Sequence, residues 1–324
     1  MNKPQNRKMK AAIINEFGGR DKIQIVDLPI PEPNDGEVLV KIKAAGINPV
    51  DFKIREGYLK ERMPCQFPII LGWDFAGVVE KNGFGAHRFK AGDEVFAYAR
   101  RSKIQFGTYS EYITLPESFI TYKPKSISFE EAAAVPLAAL TAYQSIVQKG
   151  GLRPNENVLI IGATGGVGSF AVQIAGILGA NVVAVSSGVN KMYALGLGAK
   201  YFIDYSKGDV TTQIEENFPD KFDLVFDCTG KEYQLSAYQY LKPGGRLVSI
   251  LNQANPALVD RFQVQFHYVF VEPNVLQLNQ LAEWIDAKKL KVHIEEIFSL
   301  ENVKRAHEKI ESQHTRGKLI LSIY

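Results

Sequence analysis

The chain has 324 residues, 46% of them hydrophobic and 23% charged, with a formal net charge of +3. That length exceeds what one ordinary core serves and predicts two domains; the composition is that of a soluble globular protein. Lys and Arg are scattered rather than striped, which argues against nucleic acid as a partner. The two cysteines, Cys65 and Cys228, lie far apart in no CxxC pair, so neither a disulfide framework nor a thiolate zinc site is available. A reducing, cytoplasmic setting is the simplest expectation.

The basic start, MNKPQNRKMK, runs into no apolar stretch and reads as a frayed leader before the first strand. Short runs rich in β-branched residues follow: Lys10–Ile14, Lys22–Asp27, Glu37–Ala45, Gly77–Lys81, Glu94–Tyr98 and Tyr109–Leu115. Turn clusters such as PIPEPNDG and NGFG separate them, so a small irregular barrel or sandwich is expected.

Near Ser128 the character changes. SFEEAAAVPLAALTAYQSI reads as a helix with Ser128 as N-cap and Glu131 completing a capping box. Strands and helices then alternate: Asn157–Ile161, a helix over Gly166–Leu178, Asn181–Ser186, Lys200–Asp204, Leu224–Cys228 and Arg246–Leu251. Apolar strands such as VLII and NVVAV fit a parallel sheet covered on both faces, a doubly wound domain. No charge interrupts Asn157 to Asn190, but its glycines, Thr164, Gln173 and Asn181 argue for buried strand, turn and helix over a membrane span. Beyond Glu272, Leu276, Leu278, Leu281, Trp284 and Ile285 recur at helical spacing as a packing stripe, and KLILSIY reads as a strand returning to the first domain.

The sharpest motif is VLIIGATGGVGSFAVQIA, with Gly162, Gly165, Gly166 and Gly168 between a buried strand and a helix. A dinucleotide turn wants small residues because the chain bends sharply, the pyrophosphate approaches the backbone, and the helix packs on the strand. Against G-x-G-x-x-G, Ala163 stands first, then Gly165 and Gly168; Thr164 and Val167 fill the turn, and the helix start offers free N–H groups to the pyrophosphate. An NAD site usually places an acid at the end of the second strand. Here Ser186, Ser187 and Gly188 stand there and Lys191 follows, which favours NADPH, since hydroxyls and an ammonium bind a 2′-phosphate that a carboxylate repels. Tyr205, at the end of the third strand, either flanks the same phosphate or is a surface tyrosine. The five histidines show no metal-ligand spacing, and no G-x-S-x-G elbow occurs, so hydride transfer by a cofactor fits best.

The order AAGINPVDFKIREG, LGWDFAGVV, GTYSEYITLP, AAAVPLAALTAY, GATGGVG and GKLIL resembles the zinc-independent quinone oxidoreductase branch of the medium-chain dehydrogenase/reductase superfamily. The resemblance implies an α/β Rossmann domain, residues 128–270, inserted in a GroES-like irregular β-barrel domain, residues 1–127 plus 271–324. It places Asn48 and Trp73 where zinc-dependent members have Cys and His, so no metal is expected. It sets Asn48 beside the nicotinamide as a donor to the substrate oxygen, and Tyr58 as a pocket aromatic and possible acid, each with packing as the alternative. It brings Thr141 near the nicotinamide or ribose and makes Asp227 to Gly230, with Cys228 and Thr229, a wall under the ribose. Leu251 would lie near the ring, and Trp73 and the segment Phe266 to Val269, including Tyr268, would line or close the substrate pocket.

Asp51 and Arg55, one helical turn apart, read first as a cap and an ion pair. The expected activity is NADPH-dependent reduction of a quinone or an α,β-unsaturated carbonyl. An enoyl-thioester reductase is the alternative, with Arg100, Arg101 and Lys103 either holding carrier phosphates or forming a solvated loop. A cofactor-binding protein with incidental catalysis is the third reading, because a fold does not fix a function. A small-molecule substrate, no membrane partner and a homodimer complete the expectation.

Overall fold

A computed structural model describes residues 7–323, apart from the side chains of Lys231 and Glu232. Most of the expected frayed leader, residues 1–6, lies outside the described residues; the first strand already begins at Lys8. The chain divides into two compact units. One holds the chain up to Leu137, Pro273–Asp286 and everything from Val292; the other holds Ala138–Glu272 and Ala287–Lys291.

The first unit is built on the long strand Glu37–Ile47. Its first half pairs with Tyr112–Pro116 and its second half with the returning strand Lys318–Ser322, both antiparallel. Asp74–Asn82 covers its other edge, followed by Glu94–Tyr98 and Ile120–Tyr122, while Ile294–Ser299 closes the far end of this seven-stranded sheet. A second, three-stranded sheet joins Gln24–Pro29, Lys8–Ile14 and Ile69–Ile70. The strand expected over Lys22–Asp27 runs Gln24–Pro29 instead and is preceded by a single 3-10 turn, Arg20–Lys22.

The helix expected from Ser128 to Ile146 is broken. Ser128 and Glu131 form the capping box, but the helix runs only Phe129–Ala133; Pro136–Tyr143 is a second helix, and Gln144–Lys149 is a π-turn. The cause is Pro136, which has no N–H and whose ring excludes the preceding turn. The short first piece packs on Glu37–Ile47 and Asp74–Asn82 and so belongs with the first unit. In the stripe of Val275–Asp286, Leu278, Leu281 and Ile285 are buried, while Leu276 is 76% exposed and does not belong to it.

The second unit is a six-stranded parallel sheet in the order Tyr201–Asp204, Asn181–Ser186, Asn157–Ile161, Phe222–Asp227, Leu241–Ser249, Gln265–Tyr268. In order of appearance this is 3-2-1-4-5-6, with a switch point between the first and fourth strands. Leu159, Ile161, Val183, Val185, Val225 and Leu247 fill its core. Among the described residues no helix is long and apolar enough to cross a membrane.

The expected ion pair between Asp51 and Arg55 does not form. Asp51 caps its own helix, whereas Arg55, fully buried, reaches Glu311 at 2.7 Å, the Gly18 carbonyl at 3.0 Å and Glu56. It also donates to Nδ1 of buried His307 at 3.1 Å. Because a guanidinium can only donate, Nδ1 accepts and the imidazole proton sits on Nε2, which has no partner among the described residues. Burial, then the charges of Arg55 and Arg20, push this histidine down to about 3. It therefore stays neutral in the folded state while the unfolded chain takes up a proton below about 6.5, so its contribution to stability falls as pH falls through that value. Between pH 7 and 5 the wild type should lose about 2 kcal/mol relative to His307→Leu. Urea unfolding at both pH values measures this; a constant difference between the two proteins would contradict it.

Candidate active site

In the second unit the glycine turn follows the strand Asn157–Ile161. Gly162 adopts φ 78°, a left-handed conformation, and both Gly162 and Ala163 donate to the Val185 carbonyl at 3.1 Å. Gly165 caps the helix Gly166–Ile177 without a side chain, leaving the N–H groups of the first turn uncovered by any cap. Gly168 meets the strand end so closely that a Cβ there would collide with the Gly162 carbonyl oxygen. Gly162 in turn faces the next strand end, where a Cβ would lie 2.8 Å from Thr229 Cγ2 and 3.4 Å from Cys228 Cβ. Bend, phosphate approach and helix packing, the three requirements of a dinucleotide turn, are each met by a separate small residue. These residues fit a dinucleotide cofactor.

The neighbouring wall is organised by Asp227, a role invisible in the sequence except as an acid at a strand end. One carboxylate oxygen accepts from Thr229 N at 2.9 Å, Thr229 Oγ1 at 3.0 Å and Gly230 N at 2.8 Å; the other accepts from Ser249 Oγ at 2.9 Å. Ser249 Oγ also receives the Leu251 N–H at 3.3 Å, so the segments after the fourth and fifth strands are tied together. Burial pushes the Cys228 thiol well above its usual range, so it is a packing group here.

The end of the second strand is less simple than its sequence. Ser186 is buried and its hydroxyl pairs with Thr164 Oγ1 at 2.5 Å, which corrects the expectation that it faces a phosphate. Ser187 receives an Asn190 amide at 3.1 Å, and Lys191 is exposed. The next strand brings a carboxylate against this turn, where it holds backbone in place. Asp204 accepts from Ser206 N at 3.0 Å and Ser206 Oγ at 2.6 Å, and Gly188 lies directly against its other oxygen. These hydrogen bonds, that of the Ser206 hydroxyl foremost, hold the Asp204 carboxyl below its usual range. Tyr205 is exposed and tilts against Tyr233 at 6.4 Å; Thr141 is buried in its helix, and Leu251 is partly exposed.

In the first unit, Asn48 sits at the end of Glu37–Ile47 and opens the helix Pro49–Arg55. Its backbone N–H donates to Asp51 Oδ2 at 2.7 Å, and the same oxygen accepts from Tyr109 Oη at 2.8 Å. The Asn48 side chain is held at both ends: Nδ2 donates to Asp74 Oδ2 at 2.9 Å, and Oδ1 accepts from Lys318 Nζ. Lys318 also reaches the Ile47 carbonyl at 2.8 Å, and Asp74 Oδ1 takes the Leu137 N–H at 2.9 Å. All of these side chains are buried. Burial raises Asp51 to about 7, against the pull of the Asn48 N–H and the Tyr109 hydroxyl. Burial likewise raises Asp74 to about 6, against Lys318, and lowers Lys318, against both carboxylates. Sequence reasoning named Asn48 but missed Asp74 and Lys318, although GWD and GKL stood inside quoted motifs.

The remaining expected site residues lie in varied surroundings. Tyr58 is 73% exposed in the turn after the helix and takes no part in the buried network. Trp73 is not an open pocket wall: it packs edge-on against Tyr98 at 6.0 Å in the interior. Phe266 stacks on Tyr238 at 6.2 Å as part of the sheet's core, and Tyr268 is half-buried on the edge strand. Among the described residues no group of three or more His, Cys, Asp or Glu could hold a metal ion.

Fold and glycine turn together define a nucleotide-dependent oxidoreductase scaffold, and comparison with known proteins agrees. Residues 34–125 match the family model described as alcohol dehydrogenase GroES-like domain, and residues 197–321 the one described as zinc-binding dehydrogenase. A 2-methylene-furan-3-one reductase of Solanum lycopersicum is 35% identical, over 97% of this chain and 79% of its own. A mitochondrial NAD(P)H oxidoreductase, RTN4IP1, of Danio rerio is 33% identical, over 97% and 91%. The structure of Escherichia coli quinone oxidoreductase complexed with NADPH superposes with a TM-score of 0.88 at 28% identity, over 97% and 99%. The chain belongs to the medium-chain dehydrogenase/reductase superfamily, in its quinone oxidoreductase branch.

Crowding at the turn gives a sharp test. Gly168→Ala should weaken NADPH binding at least tenfold, because its methyl group must push the helix off the strand; tenfold corresponds to about 1.4 kcal/mol. Gly176→Ala, in the same helix with open space at its Cβ position, should bind NADPH as the wild type does. Fluorescence titration compares them, and equal affinities would contradict the packing role of Gly168.

Proposed function

We propose that the protein is an NADPH-dependent, zinc-independent reductase of α,β-unsaturated carbonyls or quinones. The observation that carries this reading is the complete dinucleotide turn, in a chain whose relatives along nearly its whole length are enone and NAD(P)H oxidoreductases. Gly162, Ala163, Thr164, Gly165, Gly166, Val167 and Gly168 would hold the pyrophosphate through backbone N–H groups at the helix start. Ser187 and Lys191 would take the 2′-phosphate, with Asp204 holding the Gly188 loop in place. Thr141, Cys228, Thr229 and Leu251 would border the nicotinamide end, and Tyr205 the phosphate end.

When bound, the reduced nicotinamide supplies the hydride. The protein's own part is to orient the acceptor, exclude water and meet the negative charge that develops on the substrate oxygen. Asn48 suits the last of these roles, because a buried amide whose orientation is fixed has no reorganisation left to do during the reaction. Water is the simplest proton source, since Tyr58 stands in solvent outside the Asn48 network. With Asn48 and Trp73 where zinc-dependent relatives place ligands, the reading needs no metal. It takes a small molecule as partner, two copies in the assembly and a reducing cytoplasm.

Against the enoyl-thioester reading, two of its three loop cations, Arg101 and Lys103, have partners within the fold. Arg101 pairs with Glu37 at 3.3 Å and with the Thr114 carbonyl, and Lys103 reaches Gln66 at 2.5 Å, so both cations are occupied within the first unit.

NADPH and NADH oxidation against a panel of quinones, enals, enones and enoyl-CoA tests the function. Higher kcat/KM with NADPH is expected, with Lys191→Ala abolishing that preference; a higher value with NADH overturns the cofactor assignment. Asn48→Ala should lower kcat about 100-fold, the usual loss for one oxyanion donor, with little change in NADPH affinity. Tight NADPH binding with turnover near background for every acceptor would instead favour a binding protein.

A further inference from the structure

A lysine with 3% exposure, bonded to an amide oxygen and a backbone carbonyl and near enough to Asp74 and Asp51 to feel their charge, calls for a reason, because burying an ammonium is costly. Hydrophobic residues of similar volume would fill the same space at no such cost. The sheet does not need this charge either: Lys318–Ser322 pairs with Glu37–Ile47 through backbone bonds along Leu319 to Ser322. What the lysine touches is the last carbonyl of that strand, Ile47, and the side-chain oxygen of Asn48.

Those contacts decide which way the amide points. An ammonium only donates, so the group facing Lys318 must be the amide oxygen; an ionised carboxylate only accepts, so the group facing Asp74 must be Nδ2. A flipped amide would set N–H against the ammonium and oxygen against the carboxylate, two repulsions in a dry interior. Asp74 is itself fixed by the Leu137 N–H on its other oxygen. Nδ2 carries two hydrogens and Asp74 takes one. The ammonium on Oδ1 also draws electron density from the amide, which strengthens its N–H groups as donors.

We propose that Lys318 and Asp74 are positioning residues: they lock and polarise the Asn48 amide so that its second Nδ2–H is presented to the substrate oxygen. This rests on the reading that Asn48 meets that oxygen. Lys318 acts through Asn48, and the last strand serves the reaction by delivering the lysine beneath it.

A double-mutant cycle on the full-length protein tests the inference, with an enone acceptor and NADPH. Lys318→Met should lower kcat at least tenfold while the KM for NADPH stays within about twofold. In the Asn48→Ala background it should add less than about a twofold further loss, since there is no amide left to position. Losses that multiply independently would overturn the positioning role while leaving Asn48 in the mechanism. Wild-type turnover by Asn48→Ala would remove Asn48 itself, and Lys318 with it. If Lys318→Met fails to fold by near-ultraviolet circular dichroism, Asp74→Asn takes its place in the same cycle. It keeps the shape and an accepting oxygen but loses the charge, and the same two outcomes decide.

Discussion

No side chain fits between the start of the helix Gly166–Ile177 and the end of the strand before it. Gly168 lies against the Gly162 carbonyl, and Gly162, in its left-handed conformation, lies against Cys228 and Thr229. The crowding does more than satisfy a motif. It brings the ends of the first and fourth parallel strands together at the switch point of the sheet, where a ligand finds backbone N–H groups instead of side chains. The wall formed through Asp227, Ser249 and Leu251 depends on the same register, since Asp227 is aligned with Ile161.

The first unit solves a different problem, that of holding polar groups in a dry interior. Asn48 and Asp51 of one segment bond with Asp74, Tyr109 and Lys318 from distant ones, while Asp51 Oδ1 is left without a hydrogen-bond partner among the described residues. Hydrogen bonds are strong in a dry interior, so those that do form favour one arrangement of their members. Here the arrangement is that of the residue proposed to face the substrate. Arg55 and His307 form a second polar group, which meets the first where the His307 ring packs edge-on against Tyr109 at 6.0 Å. Arg55 uses its donors on His307 and Glu311 instead of on Asp51.

Much of this was legible from local pattern. Asn157–Ile161 and Asn181–Ser186 were read with their observed limits, because continuous apolar runs between glycines leave few alternatives. The glycine turn was legible because each of its requirements acts on one residue. Partnerships across the chain were not. The sequence places Lys318 270 residues from Asn48, and nothing local marks which lysine is buried. Ser186 read as a phosphate ligand because it stands at a strand end, yet Thr164 takes its hydroxyl. The second strand ends without an acid, as its sequence shows, but that Asp204 approaches Gly188 from the third strand is not visible in the sequence. Pro136 was visible throughout, but the apolar run around it outweighed the break it imposes.

The central claim, hydride delivery to an activated double bond, is tested most directly by following the hydrogen itself. NADPH deuterated at C4 is mixed with the protein and an enone, and the product is examined by mass spectrometry and NMR. The account predicts one deuterium at the β-carbon, from one face of the nicotinamide, and a protium from solvent at the α-carbon. NADPH consumption with no deuterium in the reduced product would contradict it.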